Sequence, residues 1–168
     1  MPGNVEVIVL GLGENPIKLV KDAMKKRKEE GGYDQVWCVF DRDDWEPNDF
    51  NGAITCAEKN GIEIAYSNEA FELWYLLHFY YRDTAMSRKS YKGELTKKLR
   101  EAKLISNSKK YEKNSEEMYG FLEDKQSQAI KNAERLLEQY HPPKPAKDNP
   151  STTVHLLVEQ LNRFVRGN

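Results

Sequence analysis

Three short apolar runs in the first part of the chain constrain its fold more than any other feature. They predict strands at 5–10, 36–41 and 62–66. In the middle run, residues 36–40 are apolar throughout, as expected of a strand buried on both faces, and they lead directly into Asp41. Their starts lie about 30 residues apart, which is the length of a βαβ unit. Asn15-Pro16 has the form of a helix N-cap followed by a first helical residue. We therefore predict an α/β fold, with a short parallel sheet and flanking helices.

Helical patterns replace the strand patterns after the third run. A strongly apolar helix, capped by Ser67-Asn68, is predicted to reach residue 81. Further helices are predicted near 91–103, at 126–140 and after Asn149-Pro150-Ser151. We expect residues 1–82 to form the α/β part and residues 83–168 to form a helical part packed on it as one compact unit.

The overall charge conceals two opposite segments. The chain of 168 residues has 26 Lys and Arg against 27 Asp and Glu, a net charge of −1. Residues 88–113 nevertheless hold ten basic and three acidic side chains, and residues 41–49 hold five acids and one arginine. Basic residues interleaved with Tyr91 and Tyr111 suit a surface that follows nucleic-acid phosphates and stacks bases. A solvated helix face is the alternative explanation of the basic segment.

Composition excludes several classes of protein. Two cysteines are too few for a disulfide scaffold or a cysteine zinc site, and they favour a reducing compartment. No apolar run approaches the length of a membrane span, and the first residues lack the pattern of a signal peptide. We expect a soluble, cytoplasmic protein with no membrane partner.

The acidic segment is the strongest chemical signal. Asp41 ends an apolar strand, and Asp43 would point the same way if the chain stayed extended. Convergent carboxylates at the carboxyl edge of a parallel sheet, with Asp44 beside them, suit Mg²⁺ (or Mn²⁺), which prefers oxygen ligands and keeps several waters. The alternative is a solubilising turn in which Arg42 is the counter-ion and Asp44 or Asp49 caps the next helix.

A second segment is predicted to reach the same edge. Ser67 and Asn68 follow the third predicted strand, and Glu72 lies one turn into the next helix. Glu72 is a candidate third ligand or general base, and an interaction with the helix N-terminus is the alternative. His78 lies off that face and is predicted to be a core or interface histidine.

Several motifs resemble those of one known family. They are the segments 36–44 (VWCVFDRDD), 65–74 (AYSNEAFELW), 77–79 (LHF) and 149–154 (NPSTTV), together with Tyr111-x-Lys113. On these motifs, which extend over nearly the whole chain, the sequence resembles the RloB / AbiLii-like family, whose bacterial members are encoded near restriction–modification and phage-defence genes. The resemblance implies a divergent Toprim-like nuclease in which Asp41 and Asp43 hold Mg²⁺. It also implies nucleic acid, and other defence-system proteins, as partners.

The sequence departs from that family at its start. Family members usually begin with an earlier strand that runs into a Glu-Gly-x-x-Thr-Glu segment, whose glutamate is the general acid/base. Glu14 follows the wrong strand for that role, so this glutamate has no counterpart here. We therefore expect a fragment, or a sheet completed from elsewhere, with an exposed sheet edge that favours homo-oligomers.

Three functions remain open at this point. The first is a Mg²⁺-dependent nuclease, the second a non-catalytic module that binds nucleic acid or a partner protein, and the third a phosphatase-like or nucleotide-binding domain. The candidate residues are Asp41, Asp43 and Glu72 for catalysis, Asp41, Asp43 and Asp44 for the metal, and Ser67, Asn68, Lys92, Lys109, Lys110 and Lys113 for substrate binding.

Overall fold

The computed structural model describes residues 5–9 and 13–166. Within them lie seven α-helices, three strands and one 3-10 turn at Glu123–Lys125. The strands are β1 (Trp37–Asp41), β2 (Glu63–Asn68) and β3 (Ser151–Thr152). The helices are α1 (Pro16–Glu30), α2 (Pro47–Lys59), α3 (Glu72–Leu77), α4 (Arg88–Glu101), α5 (Met118–Leu122), α6 (Gln126–Leu137) and α7 (Val154–Arg166).

The three strands form one mixed sheet in the order β1-β2-β3. β1 and β2 are parallel, with Asp41 opposite Ser67 at their carboxyl ends. β3 is antiparallel to β2 and places Thr152 opposite Ser67. The predicted α/β class, with a three-stranded sheet and flanking helices, is therefore confirmed, although the sheet is mixed rather than wholly parallel.

The predicted strand at 5–10 is wrong for the residues that the structure describes. Residues 5–9 lie outside the sheet, and Val7 and Val9 are 82% and 73% exposed; Leu10 lies outside the described residues. A β-branched run fits a half-buried pleated surface, but a strand forms only where a partner strand pairs with it. The third strand of the sheet is instead the polar dipeptide Ser151-Thr152, in which the Thr152 hydroxyl donates to the Tyr66 carbonyl oxygen of β2 at 3.1 Å.

The helix predicted to follow Ser67-Asn68 is shorter than expected. These two residues belong to β2 and continue its ladder, so they cannot cap α3, which begins only at Glu72. The helix is nevertheless buried, as predicted. His78, at its end, is confirmed as a core residue: its Nδ1 lies 2.9 Å from the Trp74 carbonyl oxygen, and burial lowers its pKa to about 4.

Two apolar clusters support the sheet. The smaller joins α1 and α2 to the strands through Val20, Cys38, Ala53, Ala57 and Ile62. The larger joins α3, α4 and α6 through leucines at 73, 76, 77, 95, 99 and 136. Asn15 caps α1 as predicted, because its Oδ1 accepts a 2.9 Å hydrogen bond from the Ile17 N–H. None of the described helices is both long and apolar enough to cross a membrane.

Candidate functional site

Two loops are fastened together at the carboxyl ends of β1 and β2. The Arg42 N–H donates to the Ser67 carbonyl oxygen at 2.8 Å, and the Asp43 N–H donates to the Glu69 carbonyl oxygen at 3.1 Å. These bonds hold the loop after Asp41 against the segment that leads to Glu72. The last residue of β1 and the first residue of α3 are thereby brought to one edge of the sheet, as the sequence predicts.

Asp41, which is half-buried, and Glu72, which is buried, are neighbouring carboxylates whose charges interact. Burial raises the pKa of Asp41 to about 6; the Phe71 backbone N–H lowers it, and the Glu72 charge raises it further. Glu72 is only 9% exposed, and it accepts a 3.2 Å hydrogen bond from the Tyr111 hydroxyl. Two repelling carboxylates in partial burial form an arrangement that a bound cation would stabilise.

Asp43 lies near this pair, but its carboxylate points to a different partner. Its φ of 45° is left-handed, so the chain turns after Asp41 instead of staying extended. The Asp43 carboxylate forms an ion pair with Arg88, the first residue of α4. Asp44 is exposed to solvent. The structure therefore brings two of the four predicted carboxylates together, places Asp43 on an arginine beside them and leaves Asp44 outside.

The structure contradicts the alternative explanation of the acidic segment, a turn with Arg42 as counter-ion and Asp44 or Asp49 as helix cap. Arg42 is not a counter-ion of the carboxylates, because its guanidinium donates to backbone carbonyl oxygens of Asp43 (3.2 Å), Trp45 and Ala146 (3.3 Å). Neither Asp44 nor Asp49 caps the next helix: the N-cap of α2 is Glu46, which makes no capping bond through its side chain.

A cleft of about 400 Å³ opens beside the carboxylate pair. Its walls are one carboxylate, one phenol and four basic side chains, namely Glu72, Tyr111, Arg88, Lys89, Lys92 and Lys113. The basic residues of α4 reach it together because positions four apart lie on one helix face. Arg88 also pairs with Asp43, so the two opposite charge segments of the sequence meet beside this cleft.

Tyr111 connects the two walls of the cleft. Its backbone N–H donates to Thr96 Oγ1 at 3.0 Å, and the Thr96 hydroxyl donates to the Lys92 carbonyl oxygen at 2.7 Å. Its ring packs edge-on against Tyr75, with centroids 6.2 Å apart. Burial, and after it the Glu72 charge, raises the pKa of Tyr111, so the phenol stays protonated and donates to Glu72.

A family model described as RloB-like protein matches residues 3–161, which include the whole of this site. The chain belongs to the RloB-like family. A search of curated proteins and a search of solved structures each returned no match. Membership in the RloB-like family, predicted from the central motifs, is therefore confirmed.

Four predicted substrate-binding residues of this RloB-like chain lie outside the cleft lining. Ser67 is buried, with its Oγ 2.9 Å from Thr152 Oγ1, and Asn68 is buried and donates to the Pro145 carbonyl oxygen at 3.0 Å. Both bind β2 to the C-terminal segment. Lys109 and Lys110 are exposed, on the loop after α4.

Sequence reasoning missed two residues of the site. The sequence predicts Tyr111 as a motif residue and, with Tyr91, as a ring that stacks bases, but the structure buries both rings. Nothing in the spacing of Tyr111 shows that it reaches a carboxylate 39 residues away. Arg88 was counted only within the basic segment. Helical spacing offered a signal for it, since it lies four residues before Lys92 and so on the same face of the predicted helix.

This RloB-like site offers a divalent cation two carboxylate ligands. Within residues 5–9 and 13–166, no three His, Cys, Asp or Glu side chains are grouped to hold a metal ion. The carboxylates of Asp41 and Glu72 are two hard oxygen donors, and burial, together with the Glu72 charge, raises the pKa of Asp41 to about 6. Mg²⁺ is commonly held by one or two carboxylates and keeps its remaining waters.

Proposed function

We propose that this RloB-like chain is a Toprim-type nuclease of bacterial phage defence that requires Mg²⁺ or Mn²⁺. One observation supports the nuclease most: Glu72, whose charge acts on Asp41, lines a cleft whose other charged walls are Arg88, Lys89, Lys92 and Lys113. Carboxylates for a cation and basic groups for phosphates are the two requirements of metal-dependent phosphodiester cleavage. The defence role rests on the family resemblance.

The residues in and beside the cleft have three different proposed tasks. Asp41 and Glu72 would hold the cation, which when bound polarises a phosphate and lowers the pKa of a bound water. Lys89, Lys92 and Lys113 would bind the phosphates on either side of the scissile bond. Tyr111 would orient Glu72 through its 3.2 Å hydrogen bond and so fix the direction of that carboxylate.

Cleavage assays test this proposal. Supercoiled plasmid and a structured RNA are incubated with the protein in Mg²⁺, in Mn²⁺ and in EDTA, and the products are separated on gels. We expect metal-dependent cleavage that is abolished by Asp41→Asn and by Glu72→Gln. Asp34→Asn is the matched control, because Asp34 is an exposed aspartate before the other end of β1. Cleavage that survives Asp41→Asn would refute the role of that carboxylate.

A second candidate function is a module that binds nucleic acid without cutting it. The observation that favours it is the ion pair of Asp43 with Arg88, which leaves two carboxylates rather than three for a cation. This function predicts salt-dependent binding that is lost in Lys92→Glu, unchanged in Asp41→Asn, and accompanied by no cleavage in either metal.

A further inference from the structure

Arg88 lies among three carboxylates and at the same time lines the cleft. Its guanidinium is paired with Asp43, and the charges of Asp43, Asp41 and Glu72 all act on it. Its side chain also forms part of the wall that Glu72, Lys92 and Lys113 share. One cationic side chain therefore faces both the place proposed for a metal ion and the place proposed for a phosphate.

The Asp43 carboxylate and a phosphate in the cleft would compete for the Arg88 guanidinium. A guanidinium binds a carboxylate or a phosphate through the same fork of N–H donors. Asp43 is fixed, because its left-handed backbone is tied to Glu69. Arg88 has more freedom, since it is in the first turn of α4 and its side chain is 38% exposed. An ion pair with this much exposure is weak enough to exchange partners.

We infer that Arg88 is a phosphate-binding residue that Asp43 holds until a divalent cation binds to the carboxylates. A cation on Asp41 and Glu72 would repel the Arg88 guanidinium and attract the Asp43 carboxylate. Arg88 would thereby be released from Asp43 and could turn further into the cleft, beside Lys92. The site would then bind nucleic acid more tightly with the cation than without it. This inference rests on the proposed function, but it concerns binding alone.

Binding of Mn²⁺ to the full chain tests the first half of the inference. Electron paramagnetic resonance measures the free Mn²⁺ in a titration of wild type, Arg88→Gln and Lys113→Gln. Both variants lose one positive charge, and in physiological salt that loss alone strengthens cation binding about twofold. Arg88→Gln also frees the Asp43 carboxylate, so we expect it to bind Mn²⁺ roughly tenfold more tightly than wild type. Equal affinities in the two variants would overturn the inference, as would a wild type that binds no Mn²⁺.

Binding of a labelled oligonucleotide tests the second half. Fluorescence anisotropy is measured in EDTA and in Ca²⁺ for wild type, Arg88→Gln and Lys92→Gln. We expect Lys92→Gln to weaken binding in both buffers. Arg88→Gln should fall no more than about twofold below wild type in EDTA, the effect of one lost charge. In Ca²⁺ it should fall about threefold further, because only then is Arg88 released. The inference would be overturned if Arg88→Gln lost the same oligonucleotide affinity in both buffers, or lost none in either.

Failure of the inference can be told from failure of the proposed function. Neither assay measures cleavage, so a protein that cuts nothing can still show a metal-dependent contribution of Arg88. The reverse result, cleavage without that contribution, would retain the nuclease and remove the exchange of partners at Arg88.

Discussion

Replacement of Asp41 by asparagine should stabilise the folded protein at neutral pH, although it removes the carboxylate most important to the proposed function. Burial raises the pKa of Asp41 from 3.8 to about 6, so the native state favours the neutral acid. Asparagine has nearly the shape of that neutral acid and cannot ionise. The variant therefore avoids the cost of a buried charge beside Glu72.

The size of the effect follows from the two pKa values. A folded-state pKa above the unfolded one means that the native state binds the proton more tightly. The stability that Asp41 contributes is therefore present below pH 3.8 and is lost as the pH rises through about 6. One pH unit corresponds to about 1.4 kcal/mol, so the full difference at pH 8 is roughly 3 kcal/mol. At pH 4 it falls to about 0.5 kcal/mol.

Urea unfolding at pH 4 and pH 8 measures this difference. We expect Asp41→Asn to exceed wild type by roughly 2–3 kcal/mol at pH 8 and to approach it at pH 4. The matched control, Asp34→Asn, should stay within about 0.5 kcal/mol of wild type at both. Saturating Mg²⁺ at pH 8 should stabilise wild type and leave Asp41→Asn unchanged. A variant no more stable than wild type at pH 8, or equally stabilised at both pH values, would refute the reasoning.

Three further predictions concern single contacts. Tyr111→Phe removes the hydrogen bond to Glu72, so it should lower the free energy of unfolding by about 1–2 kcal/mol and slow cleavage. Unchanged unfolding in urea would show that this bond does not stabilise the protein. Lys92→Gln should reduce the slope of log K against log salt for nucleic acid by about 1, whereas Lys109→Gln, outside the cleft, should not. Thr152→Val removes the hydroxyl that joins β3 to β2 and should cost about 1–3 kcal/mol in urea unfolding; a smaller loss would mean that the strand pairs without it.

The parts of the fold that could be predicted are those with local signals. The apolar run that forms β1, the Asn15 cap and the helix predicted at 91–103, observed as Arg88–Glu101, all depend on neighbouring residues. β3 could not be predicted, because a polar dipeptide becomes a strand only through its pairing with β2. For the same reason, the apolar composition of residues 5–9 did not make them a strand.

The candidate site also has features that the sequence could predict and features that it could not. The proximity of Asp41 and Glu72 could be predicted, since the carboxyl ends of parallel strands share one edge. The direction of Asp43 could not, because it depends on a left-handed turn after β1 and on an arginine contributed by α4. The basic segment was identified from its charge, but only the fold selects Lys92 and Lys113 for the cleft and leaves Lys109 out.

The pairing of β3 with β2 has a consequence for the growing chain on the ribosome. The hydroxyl groups of Ser67 and Thr152 are 85 residues apart in sequence, and Arg42 is 104 residues from the Ala146 carbonyl that it binds. At 5–20 residues per second, β2 waits roughly 4–17 s for its partner. During that time one edge of β2 is unpaired and available to chaperones or to other nascent chains. The bond from Arg42 to the Ala146 carbonyl oxygen likewise forms only after residue 146 has been synthesised.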